Sequence, residues 1–287
     1  MSQPLRFGII RNNILPWDET LDQWQRFEAA GFDSVWNCDH FQRPSDPAGP
    51  HMDAWMVLAG VAACTSRIRI GVLVSSNTFR HPALLAKEAV TVDHISNGRL
   101  ELGIGAGWFK LEHDSFGIPF PEPKELVDRF EEAVEVVDLL LRQDVTSYDG
   151  RYYQLKDAPF RPGPVQKPRP PLTLGAHGPR MLRIVAKHAD RWNSYASADE
   201  IKSRNEAIDR NCAEIGRDPA GIIRSLYGWP KIIGADPWES PAKFRDVVAH
   251  YHAAGISEFI FEPPVAGQWE TMDRICADVI PALRDGN

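Results

Sequence analysis

The sequence has few cysteines, no excess of positive charge and no long apolar run. Its cysteines (Cys38, Cys64, Cys212 and Cys276) are widely spaced without a CxxC pair, which favours reduced thiols in a cytoplasmic protein. A net charge of −7 argues against a nucleic-acid partner. No apolar run approaches the about 20 residues that a membrane helix needs, and the first ten residues lack the features of a signal peptide. We therefore expect neither a nucleic-acid nor a membrane partner.

The motifs of several enzyme classes are also missing. The sequence has no GxSxG nucleophile elbow and no carboxylate cluster of the kind that binds a metal. The glycines at 103, 105 and 107 do not form a dinucleotide fingerprint, because the third comes one residue early. We therefore expect no metal. We also expect an enzyme in which a bound organic cofactor carries out the reactive chemistry.

The stretch 67–108 predicts a strand, a helix and a strand joined by short links. Residues 68–74 are a β-branched apolar run, residues 82–95 begin with proline and carry apolar side chains at helical spacing, and residues 100–104 form a second apolar run. Such a unit is parallel and right-handed. Ligands bind at the carboxyl ends of its strands, here around residues 74–80 and 105–108.

The same pattern repeats along the whole chain. Strands are predicted at residues 5–11, 34–38, 68–74, 100–104, 172–174, 191–194, 222–234 and 259–261, each before a predicted helix. Eight repeats without a composition boundary favour a (β/α)8 TIM barrel over an open doubly wound sheet, and a single domain over residues 1–287. One insertion, about 145–169, follows the fourth repeat, and its Asp149-Gly150 pair predicts a hairpin turn.

Polar residues follow the predicted strands, whose carboxyl ends ring one mouth in a barrel. His40, directly after Asp39, suits proton transfer, and the alternative is a histidine that satisfies a loop carbonyl. Trp108 suits either stacking on a substrate or filling the barrel rim. Glu112 is a plausible acid that is expected to pair with an arginine. The remaining candidates bind a cofactor ring or satisfy turn backbone, and they are Ser75, Ser76 and Asn77.

Small residues begin the helix after the fifth predicted strand, in the segment GAHGPR at 175–180. A helix that starts with small residues leaves free N–H groups pointing at an anion, which is how many proteins hold phosphate. Glycine at such a turn also serves turn geometry alone, so the motif leaves both interpretations open.

Several longer motifs are characteristic of one family. Residues 71–108 contain RHPALLAK at 80–87, SNGRL at 96–100 and GIGAGW at 103–108, while GFDSVW at 31–36 and ADRWN at 189–193 flank them. With these motifs the chain resembles, over nearly its entire length, the bacterial-luciferase-like superfamily of (β/α)8 flavin- and deazaflavin-dependent oxidoreductases. LPW at 15–17, DHF at 39–41 and GAGWF at 105–109 resemble the branch that uses coenzyme F420, a deazaflavin.

The resemblance implies roles for individual residues. His40 and Asp39 would be the catalytic residues beside the cofactor ring. The Leu73–Val74 bond would be a non-proline cis peptide behind the ring, and residues 175–179 would take the cofactor phosphate. The implied cofactor-binding set is Asp39, Leu73, Val74, Ser75, Ser76, Asn77, Ala106, Gly107, Trp108, Gly175, Ala176, His177, Gly178 and Pro179. Two positions depart from the pattern: His177 replaces a usual glycine, and Trp108 stands where some deazaflavin enzymes carry a catalytic glutamate.

The resemblance leaves three functional hypotheses. The first is an F420-dependent oxidoreductase that transfers a hydride between the deazaflavin C5 and a small organic substrate. The second is a monooxygenase that uses reduced FMN from a separate flavin reductase. The third is a member that binds flavin or a partner without turnover, which the polar mouth argues against. Residues 42–52 and the insertion are the expected lids, and a homodimer is the assembly that the family suggests.

Overall fold

The computed structural model describes residues 4–286, and the chain divides into two compact units. Within the described residues, unit 1 comprises 4–11, 22–36 and 176–286, and unit 2 comprises 12–21 and 37–175. The single-domain organisation over residues 1–287 stays a prediction, and residues 1–3 and 287 lie outside the described part.

The predicted (β/α)8 fold class is confirmed. Eight parallel strands alternate with helices along the chain, and a short strand and a hairpin are added between them. In chain order the strands are β1 (Arg6–Ile10), β2 (Ser34–Asn37), β3 (Arg69–Val72), β4 (Ser75–Ser76), β5 (Leu100–Gly105), β6 (Val145–Asp149), β7 (Gln154–Pro159), β8 (Leu172–Gly175), β9 (Arg191–Ser194), β10 (Ile223–Gly228) and β11 (Glu258–Phe261). The added strands are β4, β6 and β7.

Most of the helices begin at residues that favour a helix start. Pro82 and Pro179 occupy first helical positions, where the missing N–H costs nothing, and Ser197 forms a capping box with Glu200. The α-helices are α1 (Trp17–Ala29), α2 (Ala54–Cys64), α3 (Pro82–Ile95), α4 (Lys110–Phe116), α5 (Pro123–Arg142), α6 (Pro179–His188), α7 (Ala198–Glu214), α8 (Pro230–Ile233), α9 (Pro241–Ala253), α10 (Trp269–Arg274) and α11 (Ile280–Arg284). Between residues 4 and 286, none of them is long and apolar enough to span a membrane.

One strand prediction is wrong in length. The strand predicted over residues 222–234 ends at Gly228, and α8 begins at Pro230. Proline cannot donate a ladder hydrogen bond, and it is well suited to the first position of a helix. The apolar residues after it therefore belong to a helical turn instead of a strand.

In unit 1 the parallel strands follow the order β2, β1, β11, β10, β9. Their core is aromatic: the Phe7 ring lies 5.6 Å from that of Phe244 and 5.8 Å from that of Phe259. Two buried charged side chains, Arg191 and Glu258, form an ion pair of 2.8 Å. Pairing within the core offsets part of the cost of burying either charge alone.

In unit 2, β5 pairs in parallel with β3, β4 and β8. The predicted hairpin is present, because β6 and β7 are antiparallel, but the prediction of its turn is wrong: Asp149 belongs to β6 and pairs with Gln154, and residues 150–153 form the turn. The Glu132 carboxylate on α5 holds this turn, because it accepts the backbone N–H groups of Arg151, Tyr152 and Tyr153 at 2.8–3.2 Å.

Three glycines in unit 2 make room for the side chain of Val74. A Cβ atom on Gly105 would lie 2.5 Å from Val74 Cγ2, one on Gly175 would lie 3.0 Å from the same atom, and one on Gly103 would lie 3.1 Å from Val74 Cγ1. Glycine is needed at Gly105, where a methyl group would overlap Val74, and at Gly103, where it would also overlap the Val72 backbone carbonyl, while the contact at Gly175 is tight. The glycine-rich ends of β5 and β8 thus fix where Val74 packs.

Candidate active site

In unit 2, Asp39 lies two residues after β2 and anchors the segment that follows β3. Its buried carboxylate accepts hydrogen bonds from the Arg80 guanidinium at 2.6 and 3.1 Å and from the Ser76 backbone N–H at 2.8 Å. Burial alone would lower the pKa of Arg80, but the hydrogen bonds and charge of Asp39 outweigh it, so the pKa is raised. Asp39 therefore anchors residues 76–80 through its bonds to Ser76 and Arg80.

His40 is paired with a buried glutamate. Its Nδ1 lies 2.9 Å from Oε1 of Glu112, and the other carboxylate oxygen accepts the backbone N–H of Phe41 at 2.9 Å. Glu112 is 1% exposed and lies on α4, a helix that the sequence did not predict. The expectation of an arginine partner for Glu112 is wrong. The pairing leaves Nε2 as the ring nitrogen of His40 that is not engaged with Glu112.

Aromatic rings surround His40 edge-on. The ring centroids of Trp108, Phe109 and His51 lie 5.8, 6.1 and 6.4 Å from that of His40, each nearly perpendicular to it. Burial lowers the pKa of His51, the charge of His40 lowers it further, and the Met52 backbone and nearby carboxylates oppose the shift only partly. His51 is therefore a neutral neighbour of His40 at physiological pH.

The residues after β3 include the predicted cis bond. The Leu73–Val74 peptide is cis, as the family resemblance implied. Ser75 is fully buried, and its hydroxyl accepts the Trp55 indole N–H at 3.1 Å. The Asn77 amide donates to the Tyr153 hydroxyl at 3.3 Å. Both side chains therefore already have protein partners.

The Ser76 hydroxyl starts a short hydrogen-bonded chain. It lies 2.7 Å from the Thr78 hydroxyl, which in turn lies 2.7 Å from Nε2 of His113. His113 Nδ1 lies 2.9 Å from the Phe109 carbonyl, which can only accept, so Nδ1 carries the proton and Nε2 accepts from Thr78. The chain links the end of β4 to α4.

Residues 106–108 connect β5 to α4. Gly107 has a φ of +91°, and a Cβ there would lie 3.0 Å from the hydroxyl oxygens of both Ser76 and Thr78, so the position requires glycine. Ala106 is half-buried. Trp108 is 62% exposed, so most of its ring does not fill the interior.

In unit 1, residues 176–179 form a separate cluster at the start of α6. Arg204 donates to Nδ1 of His177 at 2.9 Å and to the Ser194 hydroxyl at 2.8 Å. Desolvation of the ring and the Arg204 charge lower the pKa of His177 to about 4, although part of the residue stays exposed. Gly178 is the N-cap of α6 and contributes no side-chain cap.

The structure thus brings the predicted residues into two groups. Asp39, His40, residues 73–77 and residues 106–108 lie in unit 2, with Gly175 against Val74, while residues 176–179 lie in unit 1. Sequence reasoning missed Glu112 as the partner of His40 and Arg204 as the partner of His177. No sequence pattern connects these pairs, which are 72 and 27 positions apart.

Comparison with known proteins gives consistent similarities. A family model described as luciferase-like monooxygenase matches residues 5–275. A protein from Kineococcus radiotolerans, named F420-dependent glucose-6-phosphate dehydrogenase, is 29% identical to this chain, and the alignment covers 90% of each.

Two solved structures share the fold. The coenzyme F420-dependent tetrahydromethanopterin reductase of Methanopyrus kandleri has a TM-score of 0.83 and 20% identity, covering 97% of this chain and 99% of the reductase. Riboflavin lyase, solved with a modified FMN and riboflavin, has a TM-score of 0.81 and 14% identity, covering 99% of this chain and 92% of the lyase. Similarity at this level of identity concerns the fold alone.

Proposed function

The chain belongs to the luciferase-like monooxygenase family, and from this premise we propose that it is an F420-dependent oxidoreductase acting on a small organic substrate. The observation that carries the proposal is the similarity to the Kineococcus protein, which is named F420-dependent and aligns over 90% of both chains. We propose hydride transfer as the reaction. The substrate need not be the sugar phosphate of that relative.

Unit 2 contains polar atoms suited to a bound ring. The side-chain Oδ1 of Asn37 and Nε2 of Gln42 are buried and have no hydrogen-bond partner among residues 4–286. Buried polar atoms are normally paired, so a ligand or water must meet them. We propose that these atoms, with Asp39, residues 73–77 and residues 106–108, hold the deazaflavin ring.

His40 is the residue that we propose to move the proton. When bound, F420 supplies a hydride donor or acceptor at C5 and reacts poorly with oxygen. His40 Nε2 would accept or donate the proton of the substrate oxygen, because Nδ1 is engaged with Glu112. Trp108 and Phe109 would exclude water from this exchange.

A separate part of the proposal concerns the cofactor phosphate and unit 1. The α6 N-terminus supplies backbone N–H groups and a positive dipole end, and Arg204 adds a guanidinium beside His177. A neutral His177 can still donate from Nε2 while its Nδ1 accepts from Arg204. We propose that residues 176–179 and Arg204 bind the phosphate.

A second candidate function is a monooxygenase that uses reduced FMN from a separate flavin reductase. It is supported by the description of the family and by the riboflavin lyase structure, which holds a modified FMN on the same fold. Reduced FMN would then supply the oxygen-activating chemistry, and His40 would hold or move a proton at Nε2 beside it. The homodimer and the cytoplasmic location stay predictions for both candidates.

The test is a titration of tryptophan fluorescence with F420 and, separately, with FMN, each oxidised and reduced. Quenching by F420 with little response to FMN supports the first candidate. His40→Ala should then bind F420 like the wild type but lose turnover, while His250→Ala, an exposed histidine on α9, should change neither. A tighter response to reduced FMN would overturn the deazaflavin assignment, and oxygen consumption with a flavin reductase would be measured next.

A further inference from the structure

We infer that Glu112 is a positioning residue, which fixes the tautomer of His40 so that Nδ1 carries the proton and Nε2 is the proton acceptor. The inference rests on the proposed function for the reaction in which His40 acts. The assignment of the His40 tautomer concerns unit 2 alone and holds for the protein without a cofactor.

Both oxygens of the Glu112 carboxylate are committed. A backbone N–H can only donate, so the bond from Phe41 makes Oε2 an acceptor. The second oxygen, Oε1, lies 2.9 Å from His40 Nδ1. With Oε1 an acceptor like Oε2, the proton between the two groups belongs to Nδ1. The neutral imidazole then has its lone pair on Nε2.

This assignment opposes the intrinsic preference of histidine. An unconstrained neutral imidazole side chain prefers to carry its proton on Nε2, and a histidine in that form offers a donor where a base needs an acceptor. The same bond also stabilises the imidazolium once Nε2 has taken a proton, because Glu112 places a negative charge beside it. A buried acid thus selects the form of His40 that can remove a substrate proton.

The surroundings of the pair support this division of roles. Glu112 is 1% exposed and the His40 side chain is 17% exposed, so water reaches the histidine more than the acid. His51 does not compete for the proton, since its pKa is lowered. The bond to the Phe41 N–H also fixes the backbone next to His40, so one carboxylate sets both the position and the tautomer of the ring.

The experiment is nitrogen NMR of the cofactor-free protein labelled with ¹⁵N-histidine, at about pH 8, above the ordinary histidine pKa. Loss of one signal set in His40→Gln assigns His40. We expect the wild type to show a protonated Nδ1 and an unprotonated Nε2. Glu112→Gln should lose this preference, because its amide replaces one acceptor oxygen by an NH2 group that would face one of the two N–H donors, and Glu112→Asp should retain it at least in part.

Asp114→Asn is the matched control, because Asp114 is an exposed acid on the same helix, and its spectrum should equal that of the wild type. A wild-type His40 with its proton on Nε2 overturns the inference, as does an unchanged His40 spectrum in a folded Glu112→Gln. If Glu112→Gln does not fold, the test is which ring nitrogen of His40 carries the proton in the wild-type spectrum. Failure of F420 to bind would overturn the proposed function and leave this NMR result standing.

Discussion

At the scale of single residues, the Asp39–Arg80 pair should contribute strongly to stability. Its charges are buried, and in Asp39→Ala the ion-pair partner left to Arg80 among residues 4–286 is the Glu88 carboxylate at 3.2 Å. Removing one partner of a buried pair typically costs about 3–5 kcal/mol of the free energy of unfolding. Urea denaturation should show a loss of this order for Asp39→Ala and less than about 0.5 kcal/mol for the exposed Asp114→Asn. Equal losses would contradict the role of Asp39 as an anchor.

His177 should make the stability of the protein depend on pH. Its pKa is lowered to about 4 in the folded chain, against an ordinary value of about 6.5 when unfolded. Between these values the unfolded state binds more protons, so this contribution is complete above about pH 6.5 and is lost as the pH falls toward 4. In His177→Asn the free energy of unfolding should decrease less between about pH 6.5 and pH 4 than in the wild type. Urea denaturation of both proteins across this pH range measures the difference.

Arg204 provides the check on the cause of the His177 shift. Its guanidinium repels a proton on His177, so Arg204→Met should raise the histidine pKa toward 6.5 in an NMR titration. A pKa that stays near 4 in this variant would assign the shift to desolvation alone.

Single residues also mark the limit of what the sequence could predict. His40 and Asp39 follow a strand that the sequence predicts, so their place could be inferred from pattern alone. Glu112 and Arg204 could not, because their roles depend on how α4 and α7 lie within their units. The cis bond at Leu73–Val74 was available only through the resemblance, since no propensity distinguishes that pair.

At the scale of elements, the glycines of β5 should be coupled to Val74. A methyl group on Gly105 would lie 2.5 Å from Val74 Cγ2, and overpacking of this kind costs about 1–3 kcal/mol. Val74→Ala removes the obstructing methyl groups. Gly105→Ala should therefore cost less in the Val74→Ala background than in the wild type, as a double-mutant cycle of urea denaturation would show.

Gly221→Ala is the control for this cycle, because nothing lies within 4 Å of the added atom. It should change the free energy of unfolding by less than about 0.5 kcal/mol in either background. Additive effects of Gly105→Ala and Val74→Ala would contradict the packing argument.

Helix and strand boundaries were predictable where a particular residue type, such as proline, marks the start or the end of an element. The predicted helix over residues 82–95 matches α3, because Pro82 fixes its start. The strand that ends at Gly228 was predicted too long, since apolar content alone does not separate a strand from the short helix α8. The helix α4 was missed because its seven residues are too few to show a helical period.

At the scale of the whole molecule, the repeat of strand and helix was sufficient to predict the fold class. Only a few topologies are possible for eight apolar strands with helices between them. Because the connections between parallel strands are right-handed, the number of possible topologies is smaller still. The cofactor is a different matter, because F420 and FMN enzymes share this fold and the choice depends on local chemistry.

Cofactor choice should therefore appear in the stability of the whole chain. A ligand that binds only the folded state adds about 2.7 kcal/mol at one hundred times its Kd. Saturating F420 should raise the unfolding midpoint in differential scanning calorimetry by several degrees, with little effect from FMN. His40→Ala should show the same rise, because the proposal assigns His40 to proton transfer and not to affinity. If reduced FMN alone raises the unfolding midpoint, the result would instead favour the monooxygenase. Stabilisation by ligand binding identifies the bound cofactor whatever the substrate is.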